Sequence, residues 1–403
     1  MRKTTIFALL FNILFGGGLT PWLTGGFALF LGGGLTPCFA QDSPRQDSPR
    51  QDSLAQGMRR QGRRCLRIAE LNCENLFDTI DCPTTRDEEF LPQGERHWTS
   101  QRYWRKLNMI AREIVAISTE QPVDLVALVE VESDTVMRDL TRRTRLRELG
   151  YKYILAGTDD GRGTRVALLY HPGAFRPLQS SSVSWGERLG TVLPTRHMLH
   201  VEGLARSGDT LYIMVCHMPS KAGKLSSKKY RRAILTDLRS YCDSIAAAES
   251  VAAAPSASSA TSSVPSQTRA NIIIIGDMND TPDSRDMRTI LTGPDSDLRR
   301  VEHRPAKWQR SADGGRIAGN GVEASYRYKG NWEMLDQCIV SSHLLSPTEP
   351  LHVSARGLQV VGLRFLLEQD ITYGGLKPWR TWQGPLYRGG FSDHLPIVVE
   401  LEF

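Results

Sequence analysis

Among the chain's 7 cysteines there is no Cys-x-x-Cys pair, so a zinc site of that type has nothing to build on. Charge of one sign does not accumulate either: 50 Lys and Arg against 44 Asp and Glu leave a formal net charge of +6. That excludes a chromatin-like polycation and leaves a mild bias towards anionic partners. No repeat runs through the body of the chain. What remains is ordinary globular composition, 40% hydrophobic and 23% charged, over 403 residues, which is ample for a large core.

The first residues read as an export signal. Arg2 and Lys3 precede an apolar, glycine-rich stretch from Thr4 to about Phe39, and Cys38-Phe39-Ala40 offers a small residue at a cleavage point before Gln41. This predicts a signal peptide over residues 1–40 and an exported protein: periplasmic, outer-surface or extracellular. A duplication accounts for its length, Leu14-Phe15-Gly16-Gly17-Gly18-Leu19-Thr20-Pro21 returning as Leu31-Gly32-Gly33-Gly34-Leu35-Thr36-Pro37. An uncleaved anchor is the other reading, but a span needs roughly 20 apolar residues and glycines and prolines interrupt this stretch. Pro37 disfavours lipidation at Cys38. Residues 41–63, opening on a QDSPR repeat, read as a disordered polar linker. Residues 64–403 read as one domain, with an Ala/Ser/Pro-rich insertion at about 246–269 expected to be a surface loop.

Within the domain, strand-like and helix-like segments alternate. Arg67 to Asn72, Asp124 to Val131, Val166 to Tyr170, Asn271 to Ile275, Leu335 to Val340 and Ile397 to Leu401 read as strands. Met198 to Leu204 and Leu211 to Cys216 read as a hairpin around Ser207-Gly208-Asp209. Helical spacing marks Arg102 to Ser118, Val136 to Leu149 and Lys228 to Ile245. The mixture predicts an α+β fold of two packed sheets with helices outside. Cys73, Cys216 and Cys338 lie inside apolar strand-like runs, where free, buried thiols are expected.

The informative pattern is where the polar residues fall. Several apolar runs stop abruptly at a carboxylate, amide or imidazole: Asn72, Glu130 with Glu132, His217, Asp277 with Asn279, Asp336, and Asp393 with His394. Strand-end residues gather at one rim of a sheet, where ligands bind. Carboxylate and amide oxygens suit a hard cation such as Mg²⁺, with Mn²⁺ or Ca²⁺ as alternatives. Such an ion offsets charge developing on a phosphoryl group while imidazoles stabilise its oxygens or protonate a leaving group. Glu130 and Glu132 lie two apart and are expected on the same face of their strand.

These motifs, in this order, resemble the endonuclease/exonuclease/phosphatase superfamily, the one containing pancreatic deoxyribonuclease. The resemblance runs from Leu66 to the C-terminus through Asn72-Cys73-Glu74-Asn75-Leu76-Phe77-Asp78, Glu130, His217 with Ser220, Gly276-Asp277-Met278-Asn279, Leu335-Asp336 and Gly389-Gly390-Phe391-Ser392-Asp393-His394. It looks like a bacterial exported branch. The resemblance implies a four-layer αββα sandwich of two mixed sheets. It implies Asn72, Glu130 and Asp393 as metal ligands, Asp277 orienting or deprotonating the attacking water, and Asn279 holding it or a phosphate oxygen. His394, oriented by Asp336, would contact the phosphate, and His217 would act on the leaving group or polarise the phosphate. Arg196 and, more weakly, Arg231 fall where a phosphate-binding arginine is expected. Register with the motif favours Glu130 over Glu132.

Some positions depart from the family pattern. Val129 stands where glutamine is common, and Gln337 where many relatives have histidine or tyrosine. Deoxyribonuclease pairs its leaving-group histidine with a glutamate; Thr164 holds that position here, leaving Asp159 or Asp160 as substitutes. Lys377, Trp379, Arg380, Trp382, Tyr387 and Arg388 form a basic and aromatic stretch, suited to gripping phosphates and stacking on bases or simply to packing a loop. Arg102, Arg105 and Lys106 read as a solvated helix side. The expected activity is phosphodiester hydrolysis by a metal-activated water, with nucleic acid as first substrate and no obligate protein partner. Phosphorylated lipids or sugars are the rival substrates, and a catalytically inactive surface-binding module is the rival class.

Overall fold

The computed structural model describes residues 64–118, 122–186, 190–220, 225–252, 269–304, 309–310, 316–317 and 321–403. The expected signal peptide and linker, and most of the expected insertion, lie outside the described residues.

Two sheets face each other. The first holds β1 (Cys65–Leu76), β2 (Leu125–Val131), β3 (Lys152–Leu155) and β4 (Arg165–Tyr170). It continues through the short strands β11 (His352–Val353) and β12 (Gln359–Val360), both paired to β13 (Ile397–Glu402), in the order β11-β13-β1-β2-β4-β3. The second runs β5 (Phe175–Val183), β6 (Met198–Ala205), β7 (Thr210–His217), β8 (Asn271–Asp277), β10 (Asp336–Ser341), β9 (Leu298–Arg300). The pairs β1–β2 and β7–β8 are parallel and the others antiparallel, so both sheets are mixed.

The isoleucine run of β8 shows how the layers form. Ile273 and Ile275 join the core between the sheets, beside Ile68 and Leu66 of β1 and Val201 of β6. Ile272 and Ile274 face the other way, against Ile234, Leu235 and Leu238 of α3 (Leu225–Ala252). A strand buried on both faces is apolar at every position. On the outer face of the first sheet, Ala69 and Leu71 pack against Leu107, Ile110 and Ile114 of α1 (Ser100–Ile117) and Met137 and Leu140 of α2 (Asp134–Arg143). The result is the four-layer αββα sandwich.

Two helices differ from expectation. α2 starts at Asp134, capped by the Ser133 hydroxyl accepting from the Val136 amide, and stops at Arg143. Thr144 adopts an extended backbone, and its hydroxyl donates to the Leu140 carbonyl and accepts from the Leu146 amide. A local bond of this kind competes with helix propagation, so a separate 3₁₀ turn, Arg145–Leu149, follows. α3 runs beyond Ile245 to Ala252, because alanine-rich sequence favours helix over loop. Cys73, Cys216 and Cys338 are free and buried. Among the described residues no helix is long and apolar enough to cross a membrane.

Glu113, on the core side of α1, is 2% exposed and one of its oxygens has no hydrogen-bond partner. Burial pushes its carboxyl up to about 8. Below about pH 4.3 both folded and unfolded chains hold this proton; above that, up to about pH 8, the folded chain alone does. The site's contribution therefore falls as pH rises through that window, by up to ~1.4 kcal/mol per pH unit. Glu113→Gln should gain on the parent chain between pH 5 and pH 8 in urea-unfolding midpoints; curves that stay parallel would refute the assignment.

Candidate active site

Strand pairing sets the site. In the parallel β7–β8 pair His217 lies opposite Asp277, and in the antiparallel β8–β10 pair Asp277 lies opposite Asp336. Asp336 thus begins its strand, where the sequence suggested it ended a short run, and the antiparallel direction still brings it to the rim where β7 and β8 end. His394 precedes β13, whose Ile397 pairs with Glu70 of β1, so it reaches the same rim from the facing sheet. The β8 turn requires Gly276, because a Cβ there would sit 1.9 Å from the Cys216 carbonyl oxygen of β7.

β1 and β2 bring Asn72 and Glu130 to this rim. Their register breaks after Asn72–Val129, and Glu130 takes a left-handed backbone with φ 61°. That bulge separates two glutamates expected on one face. Glu130 turns to the cluster, while Glu132 accepts from the Asp78 amide at 2.7 Å. Among the described non-glycine residues with positive φ, Glu74, Asn75, Glu130 and Asn279 all lie at this rim. Such conformations cost of order 1–3 kcal/mol each and persist where surrounding structure enforces them.

Asp277 Oδ2 is the hub. It accepts from Asn72 Nδ2 at 3.2 Å and Asn279 Nδ2 at 3.2 Å, and lies 3.7 Å from His217 Nε2 and 3.9 Å from His394 Nε2. Its other oxygen accepts from the Asn279 amide at 2.7 Å. Asn72 Nδ2 also reaches Glu130 Oε1 at 3.4 Å, which in turn lies 3.7 Å from His217 Nε2. Asn72 Oδ1 accepts from the Glu74 amide. Behind His394, Nδ1 and Asp336 Oδ2 are 2.6 Å apart.

A family model for the endonuclease/exonuclease/phosphatase family matches residues 67–403, spanning every residue of this cluster. The chain belongs to that family. Among solved structures it is similar to a family member from Bacteroides thetaiotaomicron, at 15% identity over 84% of this chain and 95% of the other, with a TM-score of 0.49. It is also similar to a humanized TDP2 of D. rerio (14% identity, 85% and 100% covered, TM-score 0.49). A mannosyl-6-phosphatase from Bacteroides thetaiotaomicron gives 15% identity, 84% and 100% covered, and a TM-score of 0.47. No curated protein matches the sequence.

Electrostatics divide the two histidines of this family site. Burial and the nearby Arg196 guanidinium hold His217 well below the usual histidine value, so it is neutral. Burial also pulls His394 down, but Asp336 and Asp277 outweigh it and hold the imidazole well above that value, so it is a cation. Burial raises Asp277 to about 7. Among the described residues no Lys or Arg pairs with Glu130, Asp277 or Asp336, so the carboxylates outnumber the positive groups that touch them. Buried carboxylate oxygens short of positive charge fit a hard divalent cation. Ligand atoms of Asp277, Asp336 and His394 lie within 4.8 Å of one another. The short Asp336–His394 hydrogen bond already occupies that pair, so the Glu130–Asp277 side has the greater need of a cation.

Other expected residues fall further out. Asp393 pairs with Arg380 at 2.7 Å, and Arg380 also lies 3.6 Å from Glu74. Arg196 is buried beside the cluster, with Nε 3.1 Å from Thr164 Oγ1 and 3.3 Å from Asp160 Oδ2. Arg231 is tied to Asp280 instead of reaching the cluster. Neither substitute partner serves His217: Asp160 goes to Arg196 and Thr164, Asp159 to His197, and His217 Nδ1 is buried without a hydrogen bond. In the aromatic stretch, Trp382 is buried against Phe90 and Trp98, and Trp379 packs edge-on against Phe391, so packing explains both rings.

Sequence reasoning missed three contributors. Glu70, fully buried two residues before Asn72, is raised well above the usual carboxylate range by burial and then by Asp336 and Asp277. Its signal was a carboxylate inside an apolar strand, on the same face as Asn72. Tyr326 packs against His394, ring centroids 4.7 Å apart and the planes tilted by 38°. Lys106, read as part of a solvated face, is 1% exposed and bonds to Thr381 Oγ1 and the Phe391 carbonyl.

Proposed function

We propose that the protein is an exported, divalent-metal-dependent phosphodiester hydrolase with water as the nucleophile. The supporting observation is the convergence of two amides and two imidazoles of opposite charge state on Asp277 Oδ2. Glu130, with Asn72, would hold the cation, while Asp393 is held away by its ion pair with Arg380. When bound, the cation offsets negative charge on the phosphoryl oxygens. Asp277, raised towards neutrality, is suited to orient a water and take its proton. Asn279, fixed by the Met218 carbonyl at 2.9 Å, would hold that water or a phosphoryl oxygen. His394, kept protonated by Asp336, would donate to a phosphoryl oxygen, with Arg196 adding charge nearby. His217 is neutral and has no carboxylate behind it, so it polarises the phosphate or leaving group rather than acting as a strong acid.

Nucleic acid is the first substrate to test, on the basic balance of the chain. A smaller phosphorylated sugar or lipid is the second reading, favoured because the rings that would stack on bases are packed inside the loop. The decisive assay offers DNA, RNA, sphingomyelin and inositol phosphates with Mg²⁺ and with EDTA. Turnover of at least one substrate is expected, falling at least ~100-fold in EDTA. Turnover that resists EDTA would refute the mechanism, and inertness towards all four would favour a binding module.

A further inference from the structure

β10 has a second functional-looking face. Asp336 points into the catalytic cluster; its neighbour Gln337, only 3% exposed, points the other way. Gln337 Nε2 donates to the carbonyls of Asp280 at 2.7 Å and Met334 at 3.4 Å, which fixes the amide's orientation. Oε1 is left buried with no donor, and the residue lines a cavity of about 380 Å³. His303 lines the same cavity. Its Nδ1 lies 3.1 Å from the Leu358 carbonyl and so carries the proton, leaving Nε2 as a second buried acceptor without a donor. Burial lowers this imidazole's affinity for a second proton.

The remaining polar lining repeats the theme. Asp283, Glu302, Glu323 and Glu333 contribute carboxylates, while Arg300, the one Lys or Arg among the described lining residues, is engaged by Asp283 at 3.2 Å and Glu302 at 2.7 Å. Trp332 adds an aromatic wall. A wall of acceptors and carboxylates repels phosphate, sulfate and carboxylate groups. It is satisfied by hydroxyl or amino donors, and the indole ring suits the C–H face of a saturated ring. The volume lies near the low end of the roughly 300–1,000 Å³ typical of small-ligand sites, too small for a polymer. Three lining residues are close in the chain to site residues: Gln337 follows Asp336, Thr281 follows Asn279 by two residues, and Ala324 precedes Tyr326 by two.

We propose that this cavity is a subsite for the hydroxyl-rich, uncharged or amino-bearing alcohol portion of the substrate, a sugar or cyclitol, with its phosphoester directed to the Asp277 cluster. The assignment rests on the hydrolase reading for its second half only. A nucleic-acid strand entering here would set further phosphates against four carboxylates.

Binding and turnover test the two halves separately. Saturation-transfer NMR on the full protein without metal, using myo-inositol and glucosamine at millimolar concentration, should show transfer that falls at least fivefold in both Trp332→Leu and Glu323→Gln/Glu333→Gln. The double variant changes exposed or half-exposed carboxylates and guards against a folding artefact at Trp332. No transfer to the parent protein, or transfer unchanged in both variants, overturns the subsite. With Mg²⁺, the ratio of kcat/KM for the diester glycerophosphoinositol to that for bis(p-nitrophenyl) phosphate should fall at least tenfold in the variants, through KM. Equal losses on both substrates overturn the subsite, as does variant-sensitive preference for an oligonucleotide. Binding that behaves as stated with no turnover of any phosphoester sustains the subsite and sinks the hydrolase reading.

Discussion

Asp277→Ala should lower kcat/KM by about 10³-fold or more on whichever phosphoester the protein hydrolyses, at the upper part of the range for losing a positioned general base. The expectation rests on geometry. Asp277 Oδ2 is the atom on which Asn72, Asn279, His217 and His394 converge, and Oδ1 fixes the strained Asn279 backbone through its amide. Removing it takes away the group suited to receive the water's proton and the acceptor that holds Asn279. It also weakens the field that keeps His394 protonated. The fold should not suffer in proportion. Asp277 is buried and raises the carboxyl of Glu70 behind it, so its loss relieves like-charge repulsion while vacating a packed position. Activity and stability should therefore separate, as they do where a site is tuned for chemistry at the expense of stability. Initial rates beside thermal unfolding make the comparison. Asp277→Asn should retain the bond to the Asn279 amide and still be severely impaired; a variant within tenfold of the parent chain would remove Asp277 from the reaction.

This hub was legible in the sequence because hydrophobic strands end abruptly. After four isoleucines and a glycine, Asp277 and Asn279 have to lie at a rim, and the alternation of the same isoleucines between two cores announces a central strand. Less legible was anything set by pairing. Whether Asp336 ends one run or begins the next depends on the antiparallel direction of β10. Glu130 and Glu132 share a face in any regular strand, and only the broken register with β1 pulls them apart. The missing partner of His217 was foreseen from Thr164, yet the fate of Asp159 and Asp160 was not, since His197 and Arg196 are recruited from a different strand region. Helix spacing suggested that Lys106 stands on a solvated face beside Arg102 and Arg105. Those two arginines do lie near the surface, over the Tyr387 ring and against the Gly389 carbonyl, but Lys106 turns inward. No local pattern distinguishes it, because its partners lie in a loop some 270 residues later.

Lys106→Met should cost about 3–5 kcal/mol of stability, the range for removing one member of a buried charge pair. Its ammonium meets Thr381 Oγ1 and the Phe391 carbonyl, one residue before Ser392-Asp393-His394. Burial lowers its affinity for the proton, partly offset by Glu74, whose carboxylate accepts from the Thr381 amide at 2.5 Å and the Trp382 amide at 3.1 Å. Burial and Asp393 in turn raise Glu74 to about 7, so Lys106 and Arg380 are what favour its charged form. A methionine of similar length fills the space but leaves a buried carbonyl and a hydroxyl without their donor, and Glu74 without one of the charges that favour its ionised form. The same anchor holds the segment that presents His394, so kcat should fall with stability. A double-mutant cycle with Glu74→Gln separates the two contributions, since neutralising both partners should recover part of the loss in urea unfolding. The coupling should exceed about 1 kcal/mol. A Lys106→Met penalty below that, with unchanged turnover, would mean that the loop carrying His394 is held by its aromatic packing on Phe90 and Trp98 alone.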